Sequence, residues 1–159
     1  MRPDRTDKGV QGMEIVFDAY VISDNKDKLD HAVILDYLAR SYWASNRPQE
    51  RIIKSIANSD CYGVYLEGRQ VGFARVVTDG ATFYYLCDVF ILEAYQGQGL
   101  GKKLIDAIVH APEYEDMTGL LGTKDAHGLY KQYGFEPSEG RFMRRAPQAV
   151  QAITPNETA

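Results

Sequence analysis

The chain is short of the residues that metal, redox and disulfide chemistry need. Its 159 residues include two cysteines, three histidines and one tryptophan. Two cysteines, Cys61 and Cys87, do not make a disulfide framework. Both sit in strand-like runs, where a thiol reads as a small buried hydrophobe. No cluster of His, Cys and carboxylates has metal-ligand spacing, so no metal is expected. Ser41, Ser45 and Ser55 lack a Gly-x-Ser-x-Gly setting, and a serine hydrolase is not supported. No apolar run approaches the ~20 residues of a membrane span. A basic excess is missing too: Lys and Arg number 18 against 22 Asp and Glu, a net charge of −4. That argues against nucleic acid as the partner, because such domains show a basic face. The segment Met1–Lys8 is too polar for a signal peptide, and a cytoplasmic location is the expectation.

What is present is ordinary for one globular domain. Hydrophobic residues make up 45% and charged residues 25% of the chain, within the usual range. Residues 1–12 read as a flexible N-terminus, 13–145 as the folded domain and 146–159 as a loose tail. Glu14 to Ile22 reads as a first strand. Leu29 to Ser41 places Val33, Ile34, Tyr37 and Leu38 on one helical face. Pro48 suits the first turn of a second helix that carries Ile52, Ile53 and Ile56 inward. Cys61–Leu66 and Gln70–Val77 are strands joined by a hairpin signal, Glu67-Gly68-Arg69. Ala81 to Leu92 is the longest strand. A helix then buries Leu100, Leu104, Ile105 and Ile108 and stops before Pro112. Thr118–Gly122 reads as a short strand, 125–133 as a helix, and Phe135–Pro137 and Arg141–Arg144 as closing strands. Strands and helices are mixed, with a hairpin early and βα units late. The fold class is α+β, a mixed sheet flanked by helices.

The densest signal lies between the longest strand and the helix after it: Tyr95-Gln96-Gly97-Gln98-Gly99-Leu100-Gly101-Lys102-Lys103-Leu104. Glycines at every second position let the backbone approach a ligand and expose successive N–H groups. The following helix adds its unpaired first-turn N–H groups and positive dipole end. Together these make a phosphate seat. Spacing excludes two familiar loops. A Walker A loop has four residues between its outer glycines and then Lys-Ser/Thr, whereas Gly97 and Gly101 enclose three and Lys102 precedes Lys103. A dinucleotide fingerprint has Gly-x-Gly-x-x-Gly, whereas this loop has Gly97-x-Gly99-x-Gly101.

Gln96-Gly97-Gln98-Gly99-Leu100-Gly101, preceded by Asp88 to Tyr95, resembles the coenzyme A loop of the GNAT acetyltransferase superfamily. A second segment, Ala126 to Pro137 with Leu129-Tyr130-Lys131-Gln132-Tyr133-Gly134-Phe135, resembles that superfamily's late helix and following strand. The likeness spans about residues 13–145. It implies a mostly antiparallel mixed sheet whose central strands splay apart to admit the pantetheine arm. It also implies acetyl-CoA as co-substrate, with direct acyl transfer and no cysteine nucleophile.

Site residues follow from the resemblance. Gln96, Gly97, Gln98, Gly99, Leu100, Gly101 and Lys102 would hold the pyrophosphate. Val89, Phe90 and Ile91 would pair their backbone with the pantetheine arm, one of their N–H groups serving the oxyanion. Thr123 stands where an asparagine often contacts the cofactor. Tyr130 takes the position of the general acid, where a phenol stabilises the leaving thiolate; Tyr133 is read as packing. Tyr42 and Trp43 fall where acceptor pockets are shaped and could clasp an amine. The family's base is not fixed in position. From the residues themselves, Asp88 is conspicuous as a charge among Leu86, Cys87, Val89 and Phe90. It reads as a base, as an anchor for a cationic substrate, or as the ion-pair partner of Arg75.

Acetyl transfer to a primary amine is the first expectation, with a small molecule as acceptor and a monomer or homodimer as the assembly. A protein lysine or N-terminus is a second acceptor class. A non-catalytic acyl-CoA-binding module is the alternative from a different functional class.

Overall fold

The computed structural model describes residues 12–148. The expected end segments therefore lie almost wholly outside the described residues. Six strands form one sheet in chain order: β1 (Glu14–Phe17), β2 (Tyr20–Ser23), β3 (Asp60–Leu66), β4 (Arg69–Thr78), β5 (Phe83–Ile91) and β6 (Thr118–Leu121). Neighbours are antiparallel except β5 and β6, which are parallel. Among the described residues, α1 (His31–Arg40) and α2 (Gln49–Ala57) lie between β2 and β3, α3 (Leu100–Val109) lies between β5 and β6, and α4 (His127–Lys131) follows β6.

Local chemistry explains the connections. Between β3 and β4, Glu67 and Gly68 both have positive φ, 48° and 77°. That is the turn whose twist matches paired strands. Between β4 and β5 the Asp79 carboxylate accepts from the N–H groups of Ala81 and Thr82, an Asx-type bend. The step from β5 to β6 needs a crossover because the pair is parallel, and α3 supplies it. Asp30 caps α1 by accepting from the N–H groups of Ala32 and Val33.

Each sheet face carries its own core. Leu100, Leu104 and Ile108 of α3 pack with Tyr62, Val64, Val76 and Leu86 on one face. Ile34 and Leu38 of α1 and Ile52 and Ile56 of α2 pack with Cys61, Phe73 and Phe90 on the other. A hydrogen-bonded trio, Tyr62, Tyr114 and Asp60, closes the far end of the first core.

Three sequence expectations need correction. The single strand over Glu14–Ile22 is a hairpin, with Phe17 opposite Tyr20 and Asp18 at φ 51° in the turn. Aspartate tolerates that left-handed geometry, and the flanking apolar run masks it. Ile53 is exposed rather than inward, because the buried stripe of α2 takes Ile52 and Ile56. The closing strands over 135–137 and 141–144 do not form: the chain there is irregular and Phe142 and Met143 are exposed.

Candidate active site

β5 is paired on both sides only over its first half. Its register with β6 ends at Leu86 opposite Leu121, while its pairing with β4 runs on to Ile91. Beyond Leu86 one edge of β5 is open. A bulge at the same place decides what faces the opening. Phe73 pairs with Phe90 and Arg75 with Cys87, so Asp88 and Val89 share the single partner Ala74. Asp88 has φ 51°, and an extra residue of this kind re-aims the side chains that follow it. Before the bulge, Tyr84 and Leu86 join the α3-side core; after it, Val89 and Ile91 do. Asp88 is turned toward the α1 and α2 face.

Strand alternation then sorts the backbone groups. Leu92 donates to the Val71 carbonyl at 2.8 Å. Alternate residues face opposite neighbours, so Phe90 faces β4 while Val89 and Ile91 face the opening. The Phe90 ring stacks on Tyr37, with centroids 4.0 Å apart. The Ile91 carbonyl accepts from Gln96 Nε2 at 2.8 Å, which ties the glycine loop to the end of the strand.

The loop itself is built by glycine geometry. Gly97 and Gly99 have φ of 80° and 79°, and a Cβ at either would meet no atom within 4 Å. Gly99 is the N-cap of α3, and the first helical bond runs from the Lys103 N–H to the Gly99 carbonyl. The N–H groups of Leu100, Gly101 and Lys102 therefore precede the helical ladder. This open, Cβ-free ground at a helix N-terminus fits a pyrophosphate. The Gln98 side chain is engaged away from the cavity. Its Oε1 accepts from the Tyr20 hydroxyl at 2.9 Å, so the side chain braces the loop against β2. Lys103 also turns away, its Nζ 4.7 Å from the Phe17 ring centre.

At the bulge, Asp88 is surrounded by donors. Its side chain is 1% exposed, against 12% for Arg75 and 28% for Arg47. Its oxygens accept from Arg75 Nε at 2.8 Å, from Arg47 Nη1 at 2.9 and 3.1 Å, and from Trp43 Nε1 at 3.0 Å. A carboxylate offers about four acceptor positions, and these contacts fill them. Arg75 also donates to Ser59 at 3.1 Å. The expected pair with Arg75 is present, and two further partners come from the segment after α1.

Strand end, loop and bulge open onto one cavity of about 1090 Å³. All the expected site residues line it except Gln98. Tyr130 projects from α4, held edge-on against Phe135. Burial, followed by Tyr42 and Asp125, raises its pKa, so the phenol keeps its proton. Its hydroxyl bonds to no other described residue, which leaves the donor facing the cavity. Thr123 lines the wall while its hydroxyl accepts from the Ala126 N–H at 3.1 Å, opening α4. Tyr133 donates to the Lys102 carbonyl at 3.1 Å, which joins α4 to α3. Cys87 also lines the cavity, but burial pushes its thiol up to about 12, far from a reactive thiolate.

Sequence reasoning missed Tyr37, Arg47, Tyr85 and Lys124 among the lining residues. Tyr37 lies on α1, where its ring meets Phe90 and Trp43. Arg47 follows no motif; the acidic charge of Asp88 inside an apolar strand signals a partner, and Arg75 already meets that need. Among the described residues no group of three or more His, Cys, Asp or Glu is placed to hold a metal. No helix among them is long and apolar enough to cross a membrane.

Comparison with known proteins places the fold. A family model described as an acetyltransferase (GNAT) domain matches residues 57–137. The crystal structure of a GNAT-family protein from Xanthomonas campestris pv. campestris is 37% identical, with a TM-score of 0.72, over 85% of this chain and 90% of that one. The chloroplastic GCN5-related N-acetyltransferase 2 of Arabidopsis thaliana is 35% identical over 72 residues, 44% of this chain and 28% of its own length. A GNAT family acetyltransferase from Elizabethkingia anophelis, crystallised with acetyl-CoA bound, shares the fold with a TM-score of 0.58 at 19% identity, over 76% of this chain and 78% of that one. The chain spans half or less of the length of the curated relatives it matches first. The matched domain includes β3 to β6, the glycine loop and the helix carrying Tyr130, and the chain belongs to the GNAT acetyltransferase family.

Proposed function

We propose that this protein transfers an acetyl group from acetyl-CoA directly to the primary amine of a small molecule. The observation that carries the reading is the joining of three features on one cavity: the open edge of β5, the glycine loop at the start of α3, and the Tyr130 phenol, whose hydroxyl has no hydrogen-bond partner among the described residues. Acetyl-CoA supplies an activated acyl group on a thiol leaving group. The N–H groups of Leu100, Gly101 and Lys102 would take the pyrophosphate. The outward backbone of Val89 and Ile91 would pair with the amide-bearing arm, and a Val89 N–H beside the acyl carbon would stabilise developing oxyanion charge. Tyr130 would donate its hydrogen bond to the departing sulfur. The amine nitrogen adds to the acyl carbon, the C–S bond breaks as the carbonyl re-forms, the amine's proton passes to water, and the sulfur departs as a thiolate that Tyr130 hydrogen-bonds and water then protonates.

Asp88 takes a different part in this reading from a base. With its acceptor positions filled, it holds Arg47, Arg75 and Trp43 in place at the acceptor end. Calorimetric titration of coenzyme A, together with thiol release from acetyl-CoA across an amine panel, tests the proposal. Binding with turnover is expected. Binding without turnover on any amine, including peptides, would favour the binding-module reading, and no binding would refute both.

A further inference from the structure

The acceptor end of the cavity carries information about the amine, provided that the protein is the acetyl-transfer enzyme proposed for this site. Asp88 cannot greet a cation, since its oxygens already accept from Trp43, Arg47 and Arg75. One of the two aromatics expected to clasp an ammonium is also taken: Lys124 Nζ sits 5.6 Å from the Tyr42 ring centre. Three cations, Arg47, Arg75 and Lys124, face two carboxylates, Asp88 and Asp125, on the cavity wall away from the phosphate loop. That end is net positive. Arg47, moreover, is only partly spent. It uses Nη1 alone on Asp88, and its Nε and Nη2 have no hydrogen-bond partner among the described residues. It is also the more exposed of the two arginines, at 28% against 12%.

A guanidinium pinned on one nitrogen, with its other donors facing a cavity, is suited to a second carboxylate. We infer that the acceptor is an amine that also carries a carboxylate, with that carboxylate on Arg47 and Lys124 at the lip. Asp88 is then the positioning residue that fixes the Arg47 fork. The nitrogen attacks as the neutral amine, and one of its two protons leaves to water once the C–N bond has formed. Polyamines and lysine side chains embedded in basic peptides suit this end poorly.

The test uses the full chain and acetyl-CoA with matched acceptors: amino acids and β-amino acids, each beside its own amide, plus an aminoalkyl phosphate, a polyamine and a lysine peptide. Thiol release gives kcat/KM. Calorimetric titration of each acid and amide into the coenzyme A-saturated protein gives binding without chemistry. The acid is expected to exceed its amide by at least ~10-fold, the scale of one lost charge-assisted hydrogen bond, with the difference held in KM. Arg47→Gln is expected to bring that ratio toward unity, and Lys124→Gln, an exposed change that leaves the fold intact, to reduce it by about half. An amide or polyamine preferred over the acid overturns the inference and leaves the transfer reading standing. So does a ratio unmoved in both variants. Preference for the aminoalkyl phosphate replaces the carboxylate with another anion and overturns the assignment as stated. Failure of coenzyme A itself to bind sinks the transfer reading instead.

Discussion

The two ends of the cavity are made of different materials. The end formed by the glycine loop and the open edge of β5 is largely backbone: positive-φ glycines, first-turn N–H groups and two outward strand residues. The end formed by Asp88, Arg47, Arg75 and Trp43 is side chain, drawn from residues 41 to 45 positions apart as well as from neighbouring strands. A backbone site is specified by a short contiguous run and recognises what all its users share, a pyrophosphate on a carrier. A side-chain site needs long-range assembly and varies freely. In the proposed reading the common reactant is met by the first and the particular acceptor by the second.

Variants can break this division. The largest effect is expected at Asp88→Asn. It keeps the shape but strands Arg75 and Arg47 without their counter-charge, and breaking a buried pair costs about 3–5 kcal/mol. Urea or thermal unfolding should show that loss; a change under ~1 kcal/mol, the value of an exposed pair, would contradict the burial of this carboxylate. Tyr130→Phe comes next. It is expected to lower kcat by at least ~10-fold while coenzyme A affinity stays within about twofold, because only the sulfur-facing hydroxyl is removed. Equal losses in both would move Tyr130 from chemistry to packing.

Gly99→Ala sharpens the comparison from the other end. The new Cβ meets no protein atom within 4 Å, so the fold should lose only the left-handed strain of ~1–2 kcal/mol. Coenzyme A affinity should fall by more than that strain accounts for, which titration calorimetry reads directly. A pH dependence comes from the buried thiols. Burial raises the thiols of Cys61 to about 11 and Cys87 to about 12 from an ordinary 9.0. Above pH 9.0 the unfolded chain loses these protons while the folded chain keeps them, so stability present below 9.0 declines as pH rises toward 12. Tm should fall over that range, and less steeply in Cys87→Ala.

The same division explains what the sequence reveals. The loop from Gln96 to Lys102 is legible because its function is local: glycine spacing, a strand before and a helix after. The fold class and most elements are legible from apolar periodicity, as with Leu100, Leu104, Ile105 and Ile108 on α3. The bulge at Asp88 is only half legible. A charge in an apolar strand signals a partner, but the switch in facing that brings Asp88 to Arg47 is a property of one left-handed residue. The Asp18 turn is hidden for a related reason, since it interrupts an apolar run without glycine or proline. The bracing role of Gln98 is invisible in the loop because its bond to Tyr20 joins residues 78 positions apart.

The most direct test of the central claim is thiol release from acetyl-CoA across the amine panel, with the acetylated product confirmed by mass spectrometry. The account predicts turnover that depends on Tyr130 and yields an N-acetylated amine. Tight coenzyme A binding with no acetylated product from any amine would contradict it.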